Sequence, residues 1–131
     1  MFRIYIWMDG EAFDAETFQN SLDPSLRGTV DTRKRLIEGR VQRFAPYWMS
    51  EVCTPALDDI EGELIGFLSR YRTAILRGRA SHATRIVVEI VAESASVDDM
   101  SGFYLPPDAL HLLSEMGAAV DVDIVPKISS G

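Results

Sequence analysis

Between Leu57 and Ile75, the apolar residues Leu57, Ile60, Leu64, Phe67, Leu68, Tyr71 and Ile75 recur every three or four positions. That is the spacing of one face of an α-helix, and a strand, which changes face at every residue, cannot present such a set on one side. Thr54 followed by Pro55 predicts the start, as an N-cap with proline at the first helical position. Gly78 predicts the stop. Asp58, Asp59, Glu61 and Glu63 crowd the beginning, and Arg70, Arg72 and Arg77 crowd the end. Each such charge complements the helix dipole by about 0.3–1 kcal/mol when exposed. A helix this one-sided needs an apolar surface to cover it.

The flanking sequence supplies that surface as strands. In Arg3–Met8, Ile4, Ile6 and Met8 alternate with Tyr5 and Trp7, which predicts a central strand covered on both faces. Asp9-Gly10 turns the chain, and Asp14 caps a short helix carrying Ala15, Phe18 and Leu22 on one side. Asp23-Pro24 ends that helix. Thr84–Ala92 reads as a strand, with Ile86, Val88 and Ile90 on one face and Val87 and Val91 on the other. An acidic loop spans Glu93–Gly102, and Phe103–Leu105 is expected as a short strand. Pro106-Pro107-Asp108 opens another helix, with Ala109, Leu112, Leu113 and Met116 inward and Asp108, His111 and Glu115 on the opposite side. Gly117 ends it. Val120, Val122 and Ile124 then alternate with Asp121 and Asp123, a strand with one wet face.

Residues 25–47 are the least specified. Arg33–Ile37 and Arg40–Phe44 flank Glu38-Gly39 as the arms of a hairpin, Pro46 keeps the second arm near an edge, and Tyr47 and Trp48 close onto the core. The pattern leaves the sheet order open. The most economical assembly is α+β, a two-layer sandwich of a mixed or mainly antiparallel sheet of about four to five strands with one long and two short helices.

Composition narrows the class. At 131 residues the chain is expected to be one globular domain over 1–131, with residues 128–131 as a flexible C-terminal tail. A hydrophobic share of 47% and a charged share of 25% exclude disordered, collagen-like and coiled-coil classes. The single cysteine, Cys53, excludes an internal disulfide and a multi-cysteine zinc site. Phe2–Met8 is too short to span a bilayer and no secretory cleavage pattern follows it, so a cytoplasmic location without membrane contact is expected. A net charge of −7 argues against nonspecific nucleic-acid binding. Even so, Arg70, Arg72, Arg77, Arg79 and Arg85 form a basic island with no acid between them.

Few residues suggest chemistry. Cys53, beside the expected helix start, pairs in principle with His82 or His111 as nucleophile and base, but a small buried hydrophobe is the usual state of a free cysteine. Asp121 with Asp123, and His111 with Glu115, are candidate cation or acid–base groups. Nothing in the pattern brings the two pairs together, and a solvated face is the ordinary state of each. The arginine island suits a phosphate or a carboxylate-rich partner, against dipole complementation as the plain alternative. Trp48, with Tyr47, and Phe103 and Tyr104 are candidate interface anchors, against burial in the core. There is no Gly-rich phosphate loop, no histidine pair at helical spacing and no nucleophile elbow around Ser50, so neither a cofactor nor a metal is expected.

Several of these segments carry a family resemblance. They are the first strand running into Asp14 and its helix, the basic Gly-containing middle, and Tyr47-Trp48-Met49-Ser50. The tail adds Gly102-Phe103-Tyr104-Leu105-Pro106-Pro107, Leu110-His111-Leu112-Leu113, Met116-Gly117 and Val120-Asp121-Val122-Asp123-Ile124. In these the chain resembles domain of unknown function 4279, a family of small, mostly bacterial, stand-alone domains. The arginine-rich stretch 25–43 departs from it. The resemblance implies a single small fold and transfers no catalytic residue.

The expected function is a non-catalytic protein-binding module. An immunity or antitoxin-like version has acids such as Asp98, Asp99, Asp121 and Asp123 covering a basic surface of an unknown protein partner; a second copy of the chain, as a homodimer, is the other partner considered. The alternative is a small-molecule or anion-binding regulatory domain using the arginines of 70–85. An enzyme built on His111 or Cys53 stands behind both.

Overall fold

The computed structural model describes residues 2–10, 12–31, 34–37, 40–43, 47–56, 58–81, 85–94 and 104–126, with backbone alone for 34–37, 40–43, 79–81, 94 and 126. The strands are β1 (Phe2–Asp9), β2 (Thr29–Asp31), β3 (Lys34–Ile37), β4 (Arg40–Arg43), β5 (Tyr47–Met49), β6 (Arg85–Ser94) and β7 (Ala118–Pro126). The helices are α1 (Ala15–Ser21), α2 (Ile60–Ser81) and α3 (Pro107–Met116), with a 3-10 turn at Pro24–Leu26. The architecture is the α+β sandwich expected from the sequence.

Five strands form one sheet in the order β2-β5-β1-β6-β7, and β3 pairs with β4 in a separate hairpin. Only β6 and β7 run parallel; the other neighbours are antiparallel. The hairpin expected around Glu38-Gly39 is present as β3 and β4, while β2 and its pairing with β5 went unanticipated. Three residues are too few for a hydrophobic period to register. No strand is found at Tyr104-Leu105, and Phe103 and the tail 128–131 lie outside the described residues.

One face of the sheet carries the core. Phe2, Ile4, Ile6 and Met8 of β1, Trp48 of β5 and Ile86, Val88 and Ile90 of β6 are buried. Against them pack Phe18 of α1, Leu64, Phe67, Leu68, Tyr71 and Ile75 of α2, and Ala109, Leu113 and Met116 of α3. All three helices thus cover the same face. The expectation that β1 is covered on both sides is corrected: Arg3 is exposed, and Tyr5, Trp7 and Asp9 are half-buried on the other face.

Two ends of α2 also differ from expectation. It begins at Ile60 rather than Pro55, capped by Asp59, whose Oδ1 accepts from Gly62 N at 3.3 Å. The preceding residues are committed elsewhere. Cys53 exchanges two backbone hydrogen bonds with Ile4, of 2.8 and 2.7 Å, and Pro55 is buried. Chain held in a strand bridge cannot also take helical dihedrals. At the other end α2 runs through Gly78 to Ser81. Gly78 does not stop the helix; a Cβ there would lie 3.0 Å from the ring of Phe18, so its hydrogen lets α1 approach α2.

The local caps of the short helices match the sequence. Asp14 accepts from Thr17 N at 3.1 Å. Gly117 ends α3 at φ 65°, ψ 32°, a left-handed conformation that glycine adopts without strain.

Candidate functional site

The face of the sheet away from the helices is built by the odd residues of β1 and β6 and their partners on β7. Trp7 stands beside Val87, Tyr5 beside Glu89, and Asp9 beside Arg85. On the far side of β6, Glu89 stands beside Asp121 and Val91 beside Asp123. Cross-strand neighbours on one face lie close enough for side chains to interact, and here they do.

Arg85 grips Asp9 in a bidentate pair, Nε to Oδ1 at 3.0 Å and Nη2 to Oδ2 at 2.8 Å. Its guanidinium also lies 4.8 Å from the centre of the Trp7 ring, a cation–π placement. The indole Nε1 of Trp7 in turn donates to Glu89 Oε1 at 3.2 Å.

Glu89 is buried, with 7% of its surface exposed, and among the described residues its Oε2 has no hydrogen-bond donor. One ligand oxygen from each of Glu89, Asp121 and Asp123 lies within 4.8 Å of the others. Burial lifts the Glu89 carboxyl above the usual glutamate range. The Trp7 hydrogen bond opposes that rise, while contact with Asp121 and the charges of Asp121 and Asp123 add to it. Burial and the nearby acids, Glu89 foremost, likewise raise the Tyr5 phenol. The sequence reading passed over Glu89, although a signal was present: it is the single charged residue within the apolar run Ile86–Ala92.

The arginine island is distributed around the fold rather than gathered. Arg72 reaches α3, its Nε and Nη2 each 2.5 Å from Glu115 Oε2. His111 Nε2 holds the other oxygen of Glu115 at 2.5 Å, and the Glu115 carboxyl is lowered by Arg72 first and His111 after it. Arg85 belongs to the sheet face away from the helices. Arg70 and Arg77 remain together, lining a cavity of about 410 Å³ between α1 and α2 with Phe13, Phe18, Leu22 and Leu26. Arg79 lies in α2. A helix turns its side chains through all directions, so arginines clustered in sequence are spread in space.

The other candidates are placed as follows. Trp48 is fully buried, packed edge-on against Phe18 with ring centres 4.9 Å apart, and is core rather than an outward anchor. Tyr104 is 70% exposed. Asp121 and Asp123 are exposed on β7. Cys53 is half-buried, and burial followed by the Glu63 charge pushes its thiol up, against Arg70. That is the opposite of an activated nucleophile. Among the described residues no hydrogen bond joins Cys53 to His111. His82, Asp98, Asp99 and Phe103 lie outside the described residues. Ser50 is committed to structure: its Oγ accepts from Ile6 N at 2.8 Å and donates to Glu51 O at 3.0 Å. No described helix is long and apolar enough to cross a membrane.

Comparison of the chain with protein-family models, curated proteins and solved structures finds no match.

Proposed function

We propose that this chain is a non-catalytic protein-binding module whose β7 edge receives an extended segment of a basic partner protein. The observation that carries this reading is the edge itself. β7 is nine residues long and ends the sheet. No described strand pairs with its outer side, and Val122 and Ile124 are 44% and 58% exposed. A long edge strand offers unpaired backbone groups to an incoming strand, and strand addition is a recurrent mode of peptide recognition.

Charge selects the occupant. A second copy pairing through β7 about Val122 would set Asp121 against Asp123, and like charges facing across a strand pair destabilise it. A partner strand with Lys or Arg toward Asp121 and Asp123 and apolar residues toward Val122 and Ile124 satisfies both faces. A basic toxin surface covered by this acidic edge is the immunity or antitoxin version of the same reading. The likeness to domain of unknown function 4279 rests on sequence motifs alone and adds no residue role.

The test uses a synthetic strand alternating lysine and valine, with a glutamate–valine strand as control, titrated against the full chain by calorimetry. Saturable binding of the basic strand is expected, weakened at least about tenfold, or about 1.4 kcal/mol, by Val122→Lys and by Asp121→Lys. Equal binding of the acidic strand, or indifference to both substitutions, would overturn it.

The cavity between α1 and α2 supports a second reading, a regulatory domain that binds an anionic, partly apolar small molecule. Its volume of about 410 Å³ and the pairing of Phe13, Phe18, Leu22 and Leu26 with Arg70 and Arg77 fit the usual make-up of such sites. Asp14 and Asp23 also line it and disfavour a highly charged ligand. A thermal-shift panel of nucleotides, phosphorylated metabolites and fatty acids decides. A ligand at 100 times its Kd adds about 2.7 kcal/mol, and the shift should vanish in Arg70→Ala/Arg77→Ala. A flat panel removes this reading.

A further inference from the structure

The buried carboxylate of Glu89 is unexplained by the packing around it. One oxygen takes the Trp7 indole N–H, and the other, Oε2, has no donor among the described residues, only the carboxyl group of Asp121 beside this side chain. A buried acceptor left without a partner costs free energy, and a charged one costs more. Asp121 and Asp123, each with an oxygen within 4.8 Å of the Glu89 carboxylate, bring only more acceptor oxygens when ionised. Among the described residues no cationic side chain forms an ion pair with any of the three; Arg3, on the same face opposite Val91, is exposed, and Arg85 is held by Asp9. A shared proton, a water or a cation can complete such a cluster.

We infer that Glu89, Asp121 and Asp123 form a binding site for one hard divalent cation of the Ca²⁺, Mg²⁺ or Mn²⁺ class. The three ligands come from adjacent parallel strands in fixed register, Glu89 directly beside Asp121 and Asp123 two positions along the same face. Their oxygens already lie within 4.8 Å of one another, so convergence on one ion needs little side-chain movement. A donor set of carboxylate oxygen alone suits hard cations rather than zinc or copper. Three carboxylates supply fewer than the six to eight oxygens such ions take, and the exposed side toward Asp121 and Asp123 leaves room for water to complete the shell. Trp7 orients Glu89 through its indole N–H, the outer-shell hydrogen bond that ligating carboxylates commonly receive. The site does not depend on the partner proposed for β7.

The test is calorimetric titration of the full chain, stripped with chelator, with Ca²⁺, Mg²⁺ and Mn²⁺ separately, followed in parallel by tryptophan fluorescence. One saturable site is expected for at least one ion, with a fluorescence change that Trp7→Phe removes. Glu89→Gln and Asp121→Asn should each weaken binding at least tenfold. Glu89→Gln removes a buried charge, so its melting temperature in chelator should equal or exceed wild type, which separates lost ligation from lost fold. No saturable binding up to about 10 mM, beyond the weak end of protein Ca²⁺ sites, would overturn the site. Binding unchanged by both variants would also overturn it, leaving the cluster as carboxylates that share a proton.

Discussion

The indole Nε1 of Trp48 donates to Oε1 of Gln19 at 2.7 Å. The same amide brackets the backbone of Gly28: Oε1 accepts from Gly28 N at 3.0 Å and Nε2 donates to Gly28 O at 2.8 Å. One side chain on α1 thereby holds β5 and the chain entering β2. Gly28 must be bare for this, because a Cβ would meet the Met49 carbonyl oxygen at 1.9 Å. Trp48 is otherwise apolar core, tilted against Tyr71 with ring centres 5.7 Å apart. Its N–H is the one polar atom that needs a partner.

Truncating that bracket should be costly. Gln19→Ala leaves the Trp48 N–H and both Gly28 backbone groups without their partner. The Trp48 N–H is fully buried and costs about 1–3 kcal/mol when unsatisfied. Water reaches the half-buried Gly28 groups at smaller cost, so a loss of about 2–4 kcal/mol is expected in urea unfolding. A loss below about 1 kcal/mol would mean that water replaces the amide.

Two glycines of α2 should respond in opposite directions. Gly66 faces open space, so Gly66→Ala gains helix propensity and should stabilise by about 0.8–1 kcal/mol. Gly78→Ala gains the same propensity but pushes a methyl against Phe18, and overpacking costs about 1–3 kcal/mol. Net destabilisation is expected, relieved by Phe18→Leu in the same chain. Equal stabilisation by both alanines would show that α1 shifts away freely.

The pH dependence follows from Glu89. Its carboxyl is raised in the folded state, so folding binds that proton more tightly. The stability it contributes is complete below the unfolded glutamate value of about 4.3 and falls as pH rises through the folded value. Burial raises the group first, Trp7 opposes the rise, and Asp121 and Asp123 add to it. Glu89→Gln keeps the acceptor for Trp7 and adds an amide donor toward the aspartates. It should therefore raise stability at pH 7 by about 1 kcal/mol and flatten the decline above the unfolded glutamate value in chelator-treated samples. Parallel wild-type and variant curves of melting temperature against pH would refute this.

Cys53 should react slowly. Burial and the Glu63 charge hold its thiol above the ordinary value, so less thiolate is present at pH 8 than in a free cysteine. Alkylation by iodoacetamide should be slower than for an unstructured peptide thiol and reach the peptide rate only in denaturant. A native rate above the peptide rate would reopen the nucleophile reading.

A potential conflict between the two proposed uses of β7 gives a further measurement. A cation held by Asp121 and Asp123 competes with lysines directed at the same carboxylates. Affinity for the lysine–valine strand should fall when the cation that binds in calorimetry is added, and Glu89→Gln should reduce that sensitivity. Unchanged affinity at saturating cation would show that strand and ion do not share those aspartates.

The sequence by itself determined the local elements. The stripe from Ile60 to Ile75 places α2 and its buried face, Asp14 caps α1, Gly117 ends α3, and alternation marks β1, β6 and β7. These signals act within a few residues through caps, turns and periods of 3.6 or 2, so they need no knowledge of the rest of the chain. Tertiary structure decided the remainder. The start of α2 moved because Cys53 pairs with Ile4, and its end moved because Phe18 needs Gly78 as a contact rather than as a stop. The arginines that look like one island were divided between Glu115, Asp9 and the cavity beside α1. Glu89 met Asp121 only because two strands distant in sequence align in parallel register. Sheet pairing joins residues by geometry across long loops, and no local pattern encodes which acid will stand beside which.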